Sequence, residues 1–195
     1  MWIGVAYCRA PWTTPKTFQA WSHLGHEAWN KTPSRLAYVS ATGAIKDWGY
    51  FVDINDKSVN VDIKEHFKLQ LDPTYQDDFQ DITHEDAKRF YRDYLTCVHD
   101  HIARYFRRIL PQWATMCVEW SFSVPTTWRN PGLMPRLLEI MKAAGFGGDG
   151  KNHTCMITLT EAEAAAITVT DQLKVKIRNI HGNSVLRICS EMMSF

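Results

Sequence analysis

Three stretches of this chain carry residue types at spacings that chemistry uses. The run Gly145-Phe146-Gly147-Gly148-Asp149-Gly150-Lys151-Asn152 nearly spells a phosphate-binding P-loop. In that loop backbone amides curl around phosphate, a lysine reaches the terminal phosphates and a hydroxyl takes Mg²⁺. Asn152 stands where the hydroxyl belongs. The run also follows a predicted helix and precedes a predicted strand, the reverse of a P-loop's setting. It therefore reads as a glycine-rich helix stop and turn. Cys97 and His101 lie four apart on one predicted helix face, as some metal ligands do, with His99 and Asp100 between them. No second ligand pair has matching spacing, so a half-exposed thiol and solvated histidines are expected. His153 and Cys155 are read the same way. Taken alone, Lys68 in Phe67-Lys68-Leu69 reads as a solvated helix lysine. Glu161, in the first turn of a predicted helix, complements the helix dipole. No Ser-His-Asp or Cys-His dyad can be placed by spacing.

The elements that must position these residues follow from periodicity. Residues 2–8, Trp-Ile-Gly-Val-Ala-Tyr-Cys, read as a short buried strand. Residues 35–40 and 48–53 look like further short strands, 53–62 is loop-like, and a short helix is expected from Val61 to Leu71. A long helix is predicted from Thr83 to Leu110. Ala87, Phe90, Tyr91, Tyr94, Leu95, Val98, Ile102, Phe106, Ile109 and Leu110 form one apolar stripe. Thr83 can cap it, and Asp86 suits its positive end. A strand from Met116 to Val124 presents Val118, Trp120 and Phe122 on one face. A helix then begins between Pro131 and Pro135, with Asn130 a candidate N-cap, and ends at Ala144 with Gly145 beyond it. Residues 154–159 form another strand. Thr160-Glu161-Ala162-Glu163 is a capping box that opens an Ala-rich helix. In the tail, Leu173, Val175 and Ile177 alternate, and Val185 to Ile188 return as a second strand.

Composition narrows the function classes. The 195 residues hold 22 basic and 21 acidic side chains, a net charge of +1, which argues against nucleic acid or an anionic membrane as partner. The basic stretch Arg104 to Arg108 reads as a solvated helix face. Five cysteines, odd in number and without a CxxC pair, suggest neither a disulfide framework nor a zinc ribbon. No run approaches the roughly 20 apolar residues of a membrane helix, and the N-terminus does not resemble a signal peptide. A cytoplasmic setting is expected, in which the sequons at Asn30 and Asn152 carry no meaning.

The order of motifs then resembles a family. Strand, Val124-Pro125-Thr126-Thr127-Trp128-Arg129-Asn130, helix, Ala143-Ala144-Gly145-Phe146, strand and Thr160-Glu161-Ala162-Glu163-Ala164-Ala165-Ala166-Ile167 follow one another. This succession is similar to the 70-kilodalton heat-shock chaperones of the actin-like ATPase superfamily. Those proteins carry a Val-Pro-Ala-aromatic-aromatic-Asn-Asp run, an Ala-Gly helix end and Asn-Glu-Pro-Thr-Ala-Ala-Ala-Ile. Thr32-Pro33-Ser34-Arg35-Leu36-Ala37-Tyr38 resembles their Thr-Pro-Ser-x-Val-Ala-Phe. Trp48-Gly49-Tyr50 and Phe67-Lys68-Leu69-Gln70-Leu71-Asp72-Pro73 are similar to the divergent branch best known from fungal genomes. The resemblance spans residues 2 to 170.

What the resemblance implies is an α/β fold: a ribonuclease H-like, actin-like ATPase lobe on a mixed sheet, lacking the family's first strand and second phosphate loop. Residues 1–33 and 115–170 would form the sheet core, 34–114 an inserted upper subdomain with the long helix, and 171–195 a divergent tail. By position, Lys68 matches the lysine facing the terminal phosphate. Glu161 matches the carboxylate that organises Mg²⁺-bound water, with no direct metal ligand. Pro125 and Thr160 fall in the nucleotide-binding blocks, with Pro125 matching a switch proline. Ala162 replaces the family's Pro, Thr160 its Asn and Asn130 its Asp. The expected cofactor is ATP or ADP with magnesium. Met1 to Val5 align just past the family's first phosphate turn, and no Gly-Gly-Gly-Thr run follows residue 170. The expected function is thus part of a chaperone ATP-binding domain that does not hydrolyse ATP alone. Its partners would be client proteins, or the J-domain and exchange-factor co-chaperones. The rival is a non-catalytic protein-interaction module on the same fold; a true P-loop enzyme using Lys151 ranks last. Two arrangements would fill the place of the missing strand: the tail hairpin 173–188, or direct pairing of residues 2–8 with 116–124.

Overall fold

The computed structural model describes residues 2–10, 14–21, 29–73, 82–126, 128, 130, 132–164 and, as backbone, 185–191. The chain opens with β1 (Trp2–Arg9), β2 (Lys16–Thr17) and β3 (Lys31–Pro33), then β4 (Arg35–Val39), β5 (Ile45–Trp48) and β6 (Val61–Glu65). Next come α1 (His84–Ile109), β7 (Cys117–Val124), α2 (Leu133–Ala143), β8 (His153–Thr160) and β9 (Val185–Glu191). Two sheets result. The larger has the order β2-β1-β9-β7-β8, with β3 also on β1; the smaller has the order β5-β4-β6. The change from one sheet to the other falls at Ser34, between β3 and β4.

The mixed sheet is organised around β9. This strand pairs antiparallel with β1, from Gly4↔Glu191 to Arg9↔Leu186. On its other side it runs parallel to β7, from Cys117↔Val185 to Phe122↔Ser190. The second arm of the tail thus occupies the place between β1 and β7, and those two strands do not pair with each other. The tail's first arm, 173–177, lies outside the described residues. Strand β8 lies parallel to β7 on its far side. The C-terminal ends of β7, β8 and β9 therefore share one edge of the sheet.

Helix α1 joins the two sheets. Its 26 residues span about 39 Å. Thr83 caps it, accepting from the Asp86 N–H at 3.1 Å and donating to the Asp86 carboxylate at 2.7 Å. The first half packs against the smaller sheet through Phe90, which faces Tyr38, and through Tyr94, which meets Phe67 and Trp48. The second half packs against the larger sheet, where Phe106 meets Tyr7 and stacks on Trp113. Val118, Trp120 and Phe122 of β7 are all buried, as their alternation requires. Ile109 departs from the expected stripe: it is exposed, because the helix ends there.

Two elements differ from the sequence expectation. Residues 61–71 are not a helix: β6 covers Val61–Glu65 and a short 3₁₀ turn covers Leu69–Leu71. Val61, Ile63 and Glu65 pair with Val39, Ala37 and Arg35, and a partner strand within reach outweighs local propensity. The strand expected at 48–53 lies at Ile45–Trp48, as the return arm of a hairpin whose turn holds Gly43 at φ 67. Helix α2 begins at Leu133, so Pro135 falls in the first turn, where its missing N–H costs nothing. Asn130 is not the N-cap; Gly132 is, and the Asn130 side chain accepts from the Gly132 N–H at 2.9 Å.

Candidate functional site

Strand register brings three of the expected site residues to the shared C-terminal edge. Val124 of β7 pairs with Thr160 of β8, so Pro125 and Glu161 leave the sheet side by side. Pro125 is buried, and its carbonyl accepts from the Trp128 N–H at 3.1 Å in a tight turn. Thr160 forms the capping box. Its hydroxyl donates to Glu163 Oε2 at 2.9 Å and accepts from the Glu163 N–H at 3.3 Å, while the Thr160 N–H donates to Glu163 Oε2 at 2.7 Å. With the box closed, the helix that opens at Glu161 has a fixed entry, and Glu161 is held at the sheet edge.

Lys68 arrives from the smaller sheet. It is not a solvated helix lysine: it follows β6 and is 0% exposed, as is Phe67 before it. His66 stands at φ 57, the only non-glycine residue in the left-handed region among those described. That conformation costs roughly 1–2 kcal/mol and turns the chain inward at the end of β6. The Leu69 N–H then donates to the His66 carbonyl at 3.0 Å, which closes the turn. Among the described residues the Lys68 ammonium has no hydrogen-bond partner. Burial pushes its pKa down to about 7, against the carboxylate of Glu161, which pulls it up. Lys68 and Glu161, far apart in the chain, thus lie within electrostatic reach of each other.

The other candidate groups do different work. The glycine run at 145–150 lies at the opposite end of β8 from Glu161, about 23 Å away by strand rise. The Gly145 N–H donates to Lys142 O at 3.0 Å and the Phe146 N–H to Met141 O at 3.2 Å. That pair is the Schellman ending of α2, with Gly145 at φ 106. Asp149 in the run takes Arg107 at 2.6 Å and the Trp113 indole N–H at 2.9 Å, and a carboxylate there repels phosphate. His99, expected in solvent, is buried, with Nε2 3.4 Å from Asp149 Oδ2. His153 is buried too and donates from Nε2 to the Trp113 carbonyl at 2.8 Å. The run is therefore a clamp between α2, β8 and the second half of α1. The signal for His99 was present in the sequence, since it stands four residues after Leu95 and three before Ile102.

Cys97 and His101 do not form a metal pair. His101 Nε2 donates to the Ala20 carbonyl at 2.5 Å, and its ring stacks on Trp21. Burial pushes the Cys97 thiol up to about 12 and that of Cys155 up to about 11, away from the thiolate a metal needs. No cluster of metal ligands occurs among the described residues. Among them, no helix is long and apolar enough to cross a membrane.

Neither a family model, nor a curated protein, nor a solved structure matches this chain.

Proposed function

We propose that this chain is a heat-shock-type nucleotide-binding lobe that holds the phosphate end of Mg-ATP or Mg-ADP against Lys68. One observation carries the reading: the Lys68 ammonium is wholly buried, has no hydrogen-bond partner among the described residues, and feels the carboxylate of Glu161, which stands at the C-terminal edge of a mixed sheet. Ligands of open α/β sheets gather at that edge. A buried cation without acceptors is costly, and phosphate oxygens supply acceptors and charge together. Lys68 and Glu161 thus carry the charges that a magnesium-bound nucleotide phosphate would call for. Lys68 would meet the terminal phosphate as a point charge. Glu161 would orient water on the magnesium, and Pro125 and Thr160 would frame the edge. The bound metal supplies neutralisation of the phosphate charge. Among the described residues no glycine-rich turn stands at this edge to surround the phosphates, so hydrolysis by the lobe alone is not expected. Co-chaperones and client proteins in the cytoplasm are the partners this reading implies.

Calorimetry with Mg-ADP tests it. Binding should be submillimolar and should weaken about tenfold or more, about 1.4 kcal/mol, in Lys68→Met. Lys151→Ala should change nothing. Loss with Lys151→Ala alone would restore the P-loop reading.

Absence of Mg-nucleotide binding would leave the second reading, a non-catalytic protein-interaction module on the same fold. An exposed aromatic row favours that reading. Tyr50 lies between Trp2 and Trp29, with ring centroids 5.8 and 5.1 Å away, and both tryptophans are exposed. Such rings are enriched where proteins dock.

A further inference from the structure

An open groove of about 740 Å³ runs between the first half of α1 and α2. Lys88, Arg89 and Arg92 line it from α1 and Arg136 from α2, against the two carboxylates of Glu85 and Glu139. Four cations and two carboxylates line the groove itself, while Asp86 and Asp93, the partners of Arg89 and Arg92, stand outside its lining. Ile140 and Ala143 give α2's side an apolar strip. Among the described residues, the α1 cations pair with near neighbours on their own helix. Lys88 pairs with Glu85 at 2.7 Å, Arg89 with Asp86 at 2.9 Å and Arg92 with Asp93 at 3.0 Å. Exposed pairs of this kind are worth about 0–1 kcal/mol, so an incoming carboxylate displaces them at small cost. Arg136 reaches across the groove electrostatically to Glu85.

We propose that this groove docks an acidic, amphipathic segment of a partner protein. Its carboxylates would meet Lys88, Arg92 and Arg136, and an apolar side chain would lie along Ile140 and Ala143. The geometry favours a peptide over a small polyanion. The α1 side, residues 84–92, extends about 12 Å; its three cations occupy about the last 6 Å of it, and Arg136 and the apolar strip of Ile140 and Ala143 lie on the opposite wall. Two helical turns, or about four extended residues, match the span. The inference does not depend on nucleotide binding. The groove nonetheless ends at His84, whose Nδ1 donates to the Gln70 carbonyl at 2.9 Å, in the 3₁₀ turn that follows Lys68.

Panning a displayed random-peptide library on the full chain, without nucleotide, tests the proposal. Recovered peptides should be acidic with interspersed apolar residues. By fluorescence anisotropy their affinity should fall about tenfold between roughly 50 and 300 mM salt. The charge-reversed pair Arg92→Glu and Arg136→Glu should weaken binding by about tenfold or more, and the neutral pair Arg92→Gln and Arg136→Gln by less, with unfolding midpoints unchanged. Peptides without acidic bias, or equal binding to wild type and the neutral pair, would overturn it. Displacement by inorganic triphosphate at concentrations matching the peptide would overturn it in favour of a small-polyanion site.

Discussion

An ammonium taken wholly out of water, like that of Lys68, holds its proton less tightly than one in solvent. Its folded pKa of about 7 lies below the unfolded 10.5. Between those values the unfolded chain carries a proton that the folded chain lacks, so stability rises with pH from about 7 towards about 10. The slope is at most about 1.4 kcal/mol per pH unit, and below 7 it is flat. Urea unfolding of wild type and Lys68→Met should show this. The wild type gains stability relative to the variant between pH 7 and 9, and parallel pH profiles would mean that Lys68 is solvated. The residue was named in the sequence only by its resemblance to a family lysine. Its own neighbours, Phe67 and Leu69, pointed to an ordinary helix surface. What buries it is the left-handed His66, and nothing local announces a positive φ at a histidine.

At the scale of elements, capping chemistry was the most legible feature. Thr83 with Asp86, Thr160 with Glu163 and Gly145 after α2 all form the contacts their spacing predicts, because each needs only residues three or four apart. What spacing does not show is that the α2 ending also seats on α1. A Cβ at Gly145 would stand 2.7 Å from His99 Nδ1, at a φ of 106 that side chains rarely adopt. Gly145→Ala should therefore cost about 1–3 kcal/mol, read from denaturant midpoints. A wild-type midpoint would mean that the turn does not press on His99. Residues 61–71 went the other way: their short apolar run fits either period, and only the pairing of β6 with β4 decides it.

For the whole molecule, β9 matters most. It hydrogen-bonds to β1 on one side and β7 on the other, so its removal creates two unpaired edges in the middle of the sheet. A chain ending after residue 184 should lose its cooperative unfolding transition and bind a hydrophobic dye. An unchanged transition would mean that β1 and β7 can close directly on each other. The same insertion makes β7, β8 and β9 parallel neighbours, which gives the molecule one C-terminal edge at which Pro125, Thr160 and Glu161 stand together.

The sequence by itself determined α1, β7, α2 and β8, and the caps at Thr83, Gly145 and Thr160 though not the one that opens α2, since periodicity and capping act within a few residues. Only the tertiary structure decided that Lys68 lies buried within electrostatic reach of Glu161, that Asp149 and His99 clamp the glycine turn to α1, and that the tail's second arm supplies a central strand. Each of these joins segments far apart in the chain. Their contacts depend on how closed loops bring faces together, and no local pattern of residues encodes that.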